Sequence, residues 1–172
     1  MRLTTRELTV CAMLVALALA LSYLESFFPL SLVIPLPGVK LGLANVVTLF
    51  ALYALGPGQA VLILLGRCFL GAMFAGNINA LLFSLLGGAA ALAMMMLLSR
   101  GRRLSIYGVS IGGAAAHNCG QVAAAVWTLG NTAPLYYLPL GVSLGTGTLT
   151  GVIAAGLFRG LAHTGLLRES RA

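Results

Sequence analysis

The chain has 172 residues, of which 60% are hydrophobic and 8% charged, with a mean hydropathy of +1.03 and a net charge of +7. Soluble domains carry roughly a quarter of their residues as charges, so this composition excludes a water-soluble fold and leaves length for about six bilayer spans of roughly 20 residues each. Nor is the basic excess a nucleic-acid footprint, because the ten Lys and Arg residues are spread mainly through loops and tails with no aromatic interleaving.

Punctuation by Pro, Gly, Asn and Arg predicts six helical runs. The first, Leu8 to Phe28, follows Arg2 and Arg6; its apolar stretch exceeds the ~7 to 15 residues of a signal peptide and more spans follow, so it reads as a retained helix. It carries Ala12, Ala16 and Ala20, one alanine per turn on a single face, a smooth stripe that either packs internally or docks a partner helix. The second and third runs, Leu41 to Leu55 and Gln59 to Ala75, are short for a bilayer. Gly56-Pro57-Gly58 joins them, which predicts a tight hairpin, or one member tilted or only partly spanning. Ala80 to Ser99, Ser105 to Leu129 and Leu138 to Leu161 complete the set. The expected fold is an all-α integral membrane protein, a six-transmembrane-helix bundle forming one domain over residues 1–172.

Under six spans, Arg2, Arg6, Arg100, Arg102, Arg103, Arg159, Arg168 and Arg171 fall on one side and only Lys40 lies in the loops opposite. The positive-inside rule then places both termini in the cytoplasm of a multi-pass cell-membrane protein, with the 29–38 and 131–137 loops outside. Gly108 with Gly112, Gly141 with Gly145, Gly147 with Gly151 and Gly156 with Gly160 recur at four-residue spacing and are expected to mark close helix contacts.

Polar residues inside such runs need a reason, since an unpaired charge or amide in hydrocarbon costs several kcal/mol. Arg67, in the middle of the third run, is either neutralised by Glu25 or faces a cavity that admits an anionic group. His117, Asn118 and Gln121 cluster on the fifth run, where 117 and 121 share a face; they bind a polar solute, line a water-filled cavity or join helices. Lys40 and Asn45, in Pro37-Gly38-Val39-Lys40-Leu41-Gly42-Leu43-Ala44-Asn45, stand at the outer start of the second run. Lys40 is read either as an interface anchor or as part of an outward-facing pocket with Asn45, Asn77 and Asn79.

Absences narrow the chemistry. The chain has no aspartate, and its three glutamates are Glu7, Glu25 and Glu169. Magnesium-dependent diphosphate chemistry needs clustered carboxylates, and ATP hydrolysis a phosphate-binding loop with its Lys-Ser/Thr; neither is present. Cys11, Cys68 and Cys119 lack metal or disulfide spacing and read as small core hydrophobes. No metal, no cofactor and no catalytic residue is expected.

Taken together, the Pro37 to Asn45 segment, Gly66-Arg67, Phe83-Ser84-Leu85-Leu86-Gly87-Gly88, and Ile111-Gly112-Gly113 followed by His117-Asn118-Cys119-Gly120-Gln121 resemble the Gx transporter family, whose members are often labelled heptaprenyl diphosphate synthase component I. That family is in turn similar to the S components of energy-coupling-factor vitamin transporters, small six-helix proteins with both ends cytoplasmic. The resemblance implies an outward-opening solute site under the loop between helices one and two, with Lys40, Asn45, Arg67, His117, Asn118 and Gln121 as candidate ligand-binding residues. It also implies docking of a transmembrane coupling subunit, itself joined to ATPases, along Ala12, Ala16 and Ala20. A prenyl synthase would carry aspartate-rich motifs, so the synthase label conflicts with a chain that has no aspartate. The expected role is a noncatalytic membrane subunit that captures a small, polar or anionic molecule from outside. The alternatives are an assembly subunit of a quinone- or flavin-linked electron-transfer system and a noncatalytic component of a prenyl synthase.

Overall fold

The computed structural model describes residues 4–27, 42–101, 104–132, 152, 153 and 156, all of whose regular structure is helical. Five helices follow in order: α1 Thr5–Ser26, α2 Ala44–Ala54, α3 Pro57–Ala75, α4 Ile78–Arg100 and α5 Ile106–Leu129. The predicted sixth helix, 138–161, lies outside the described residues except at Val152, Ile153 and Gly156, which are helical. A six-helix count is therefore replaced by five described helices.

Local chemistry sets the helix ends. α1 starts three residues before its apolar run because Thr4 and Glu7 form a capping box: Glu7 N–H donates to Thr4 Oγ1 at 3.3 Å and Thr4 N–H to Glu7 Oε2 at 2.8 Å. α2 starts later than predicted, after Gly42, whose φ of +86° breaks helical geometry. Pro57 occupies the first turn of α3, where its missing N–H costs nothing, and only Leu55 and Gly56 separate α2 from α3, so the hairpin is tight. Asn77 caps α4 by accepting from Asn79 N–H at 2.8 Å. Both asparagines are exposed.

Length and apolarity divide the helices into three kinds. α1, α3 and α4 are long and apolar enough to cross a membrane. α2, at 11 residues, rises about 17 Å and falls short of the ~30 Å hydrocarbon core, so the predicted second span is a short inner helix. Eight of its residues, Ala44 to Leu49 with Ala51 and Leu52, are buried, and it contacts every other described helix. α5, at 24 residues, has the length of a span but lacks the apolarity, because it carries Ser110, His117, Asn118 and Gln121.

Around α2 the packing runs from α1 to α3 to α4 to α5. α1 buries only Cys11, Ala18 and Glu25, a seam seven residues apart, and leaves Leu8, Met13, Leu17, Tyr23 and Leu24 exposed. Such a surface suits hydrocarbon, not water, and the molecule is a membrane protein. α3 buries Ala60, Ile63, Leu64, Arg67 and Cys68, the spacing of one helix face.

α4 and α5 approach most closely. A Cβ at Gly120 would lie 2.5 Å from Leu86 O and 2.8 Å from Gly87 Cα, so only glycine permits this backbone-to-backbone contact. Gly112 and Gly113 likewise leave room for Leu98 and Met95 of α4. Gly108, the expected partner of Gly112, faces only Leu104, and Gly156 has open space beside it. The Gly141, Gly145, Gly147, Gly151 and Gly160 positions lie outside the described residues.

Candidate functional site

Five helices bring their few polar residues to one level of the bundle. Ser22 and Glu25 come from the end of α1, Gly42 and Ala44 from the start of α2, Arg67 from the middle of α3, Ser84 from the first half of α4, and His117 and Gln121 from α5. Together they line a cavity of about 20 Å³, room for one water-sized group. Glu25, Asn45, Arg67, His117 and Gln121 are all buried, at 8% exposure or less.

Arg67 is the centre of this arrangement. Its Nη2 donates to Asn45 Oδ1 at 2.8 Å, while its Nε–H is buried and has no hydrogen-bond partner. A buried donor left unmade costs about 1–3 kcal/mol, more for a charged group, so an acceptor oxygen placed there would recover that loss. Its guanidinium lies against Gly88, where a Cβ would come within 3.0 Å of Nη2. Glu25 is near enough to attract Arg67 electrostatically, but its carboxylate accepts from the Gly42 N–H. The expected neutralisation of Arg67 by Glu25 thus takes a different form: each has its own hydrogen-bond partner, and the two charges face one cavity.

His117 occupies space left by glycines of the neighbouring segments. A Cβ on Gly42 would lie 3.2 Å from its Cδ2, and a Cβ on Gly87 2.8 Å from its Cε1 and 3.0 Å from Gln121 Cγ. The imidazole is held between the start of α2 and the first half of α4, with Gln121 one turn further along α5.

Of the six residues expected to bind ligand, Arg67, His117 and Gln121 line the cavity, and Asn45 reaches the site only through its bond to Arg67. Asn118 is half-buried and does not line the cavity, since a one-residue step turns it about 100° from His117. Lys40 lies outside the described residues. The structure adds Ser22, Glu25 and Ser84 to the lining. Glu25 was legible as the only acid within a run; the two serines are not separable in sequence from ordinary helix serines. Ala12, Ala16 and Ala20 are all exposed on α1, away from the cavity except that Ala20 borders a separate groove. Among the described residues, no three His, Cys, Asp or Glu side chains group as a metal site.

No curated protein and no solved structure matches the chain. The sequence profile described as heptaprenyl diphosphate synthase component I matches residues 14–157 of the 172. With the match covering most of the chain, from within α1 past the end of α5, the protein belongs to the heptaprenyl diphosphate synthase component I family.

Proposed function

We propose that the protein is a noncatalytic membrane subunit that binds a small polar molecule in the cavity between Glu25, Arg67, His117 and Gln121 and hands it on through a partner complex. The observation that carries this reading is Arg67: a cation buried at mid-helix with an unsatisfied Nε–H, beside a cavity where polar side chains of several helices converge. Intramembrane ionisable residues are costly and mark ligand or ion pathways when they face a cavity. A purely structural arginine would be expected to have its donors paired.

With 138–161 as a sixth span, both termini lie in the cytoplasm and the cavity, which sits toward the C-terminal ends of α1 and α5 and the N-terminal ends of α2 and α4, belongs to the outer half of the membrane. Lys40, two residues before Gly42 in the sequence, is a further proposed binding residue, and its charge favours solutes with an anionic group. The lack of a phosphate-binding loop means that energy comes from elsewhere, and the exposed Ala12, Ala16 and Ala20 face supplies a flat surface for a coupling subunit with ATPases.

Native mass spectrometry of the gently solubilised protein, wild type beside His117→Ala, tests the reading. The expected result is a discrete small molecule on the wild type that the variant loses. An empty protein that retains a protein subunit would sink the binding reading and support a noncatalytic assembly role.

A further inference from the structure

Exposed amphipathic and charged side chains are unevenly placed on the surface. Among the described residues, Tyr23, Tyr107 and Trp127 are exposed at 67%, 38% and 82%, and each stands within one turn of a helix end. The exposed arginines, Arg6 and Arg100, also stand at helix ends. Exposed side chains in the stretches between are apolar, among them Met13, Leu17, Leu65 and Leu86.

Helix register collects the end residues into two levels. Val15 lies against Gly66 and Leu19 against Gly71, so α1 and α3 run parallel and Tyr23 reaches the end of α3, beside Phe74 and Ala75. The turn at Gly76 brings the start of α4 to the same level. Gly120 meets Leu86 and Gly113 meets Met95, so α5 runs antiparallel to α4, and continuing that register carries Trp127 to the first turn of α4. Arg6, Arg100 and Tyr107 mark the opposite ends of α1, α4 and α5. The two levels are a bilayer apart: Arg6 to Tyr23 spans about 26 Å and Tyr107 to Trp127 about 30 Å at 1.5 Å per residue, against ~30 Å for the hydrocarbon core.

We infer that Tyr23 and Trp127 seat in one lipid headgroup layer and Arg6, Arg100 and Tyr107 in the other, so that α5 is a full span despite its polar residues. Tyrosine and tryptophan rings favour the headgroup layer because one edge is apolar and the other hydrogen-bonds, and arginines favour the anionic cytoplasmic surface. The Tyr23 level carries exposed Asn77 and Asn79 but, among the described residues, no exposed charge. The modest apolarity of α5 is no obstacle, since Ser110, His117 and Gln121 are buried inside the bundle and do not meet lipid. This assignment is independent of any ligand at Arg67. It places the Arg67 backbone about 10 Å inside the aromatic layer, seven residues before Phe74 on α3.

Trp127 is the sole tryptophan, so its fluorescence in the wild-type chain reports one depth. The test is reconstitution of the full chain in phosphatidylcholine vesicles brominated either close to the headgroup or near the acyl-chain ends. Trp127 is expected to be quenched more by the shallow bromines. Two relocated reporters in a Trp127→Phe background check the spacing. Tyr107→Trp should again be quenched more by the shallow bromines, and Met13→Trp, between Arg6 and Tyr23 on α1, more by the deep ones. The inference is overturned if Trp127 or the Tyr107→Trp reporter is quenched more by deep bromines, or the Met13→Trp reporter more by shallow ones. Trp127 quenched by neither lipid overturns it as well. Quenching by aqueous iodide would then place the ring in water, and resistance to iodide would place it under protein, either another segment of the chain or a second copy.

Discussion

At the scale of single residues, Arg67 sets the energetics of the site. Its bond to Asn45 is charge-assisted and buried, and such bonds contribute about 1.5–3 kcal/mol, above the ~0.6 kcal/mol average of neutral interhelical bonds in membranes. Asn45→Ala is therefore expected to lower unfolding stability by about 1–3 kcal/mol in detergent, measured by thermal or denaturant unfolding, because it strands Nη2 beside an already unsatisfied Nε. A loss no larger than for a neutral interhelical bond would show that another group takes over as acceptor. Gly87→Ala tests the placement of His117. The added methyl would lie 2.8 Å from the ring and must push it, at an overpacking cost of about 1–3 kcal/mol. Ligand retention should fall with it, whereas the same change at Gly76, which has nothing within 4 Å, should leave retention intact, its cost being confined to the strained φ of +59° at the end of α3.

At the scale of elements, the α4/α5 contact and the short α2 hold the site in place. Gly120 meets the carbonyl of Leu86, and backbone cannot swing aside as a side chain can. Gly120→Ala should thus separate the two helices and cost more than the ~1–3 kcal/mol of ordinary overpacking, seen as loss of folded protein or a lowered melting temperature. Thr4→Ala gives the contrast: it removes the capping box of α1 for about 1 kcal/mol and should leave the site unchanged, because Thr4 is more than a dozen residues from Ser22 along the helix. Equal effects of the two substitutions would mean that the α4/α5 seam carries less of the fold than its geometry implies. α2 has no such spare surface, with eight of its eleven residues buried, and a helix so short gains its stability from packing and not from its own hydrogen bonds.

For the molecule as a whole, α1 is packed against the other described helices by one narrow seam, and Ala12, Ala16 and Ala20 on it are exposed. A bulky residue at Ala16 should disrupt assembly with a partner, read by co-purification, while ligand binding and melting temperature stay within experimental scatter. Unchanged assembly would count against docking along this face. Position 16 projects away from the seam of Cys11, Ala18 and Glu25, so the substitution adds volume outside the core.

Composition alone settled that the chain belongs in a membrane, since an 8% charged, strongly apolar sequence has no means of covering a water-soluble surface. Local signals placed the five described helices to within about three residues, because runs of apolar residues end where Gly, Pro and Asn change the backbone. Arg67, His117 and Gln121 stood out in sequence for the same reason that they matter: polar groups in hydrocarbon are expensive. Tertiary structure alone decided the remainder. That α2 is an inner helix and not a span follows from its burial on all sides, which an apolar run of that length does not reveal. That Arg67 bonds to Asn45 and that Asn118 turns away from the cavity depend on the rotation and approach of helices. Those are set by glycines such as Gly87 and Gly120, whose missing side chains become informative only once the neighbouring helix is in place.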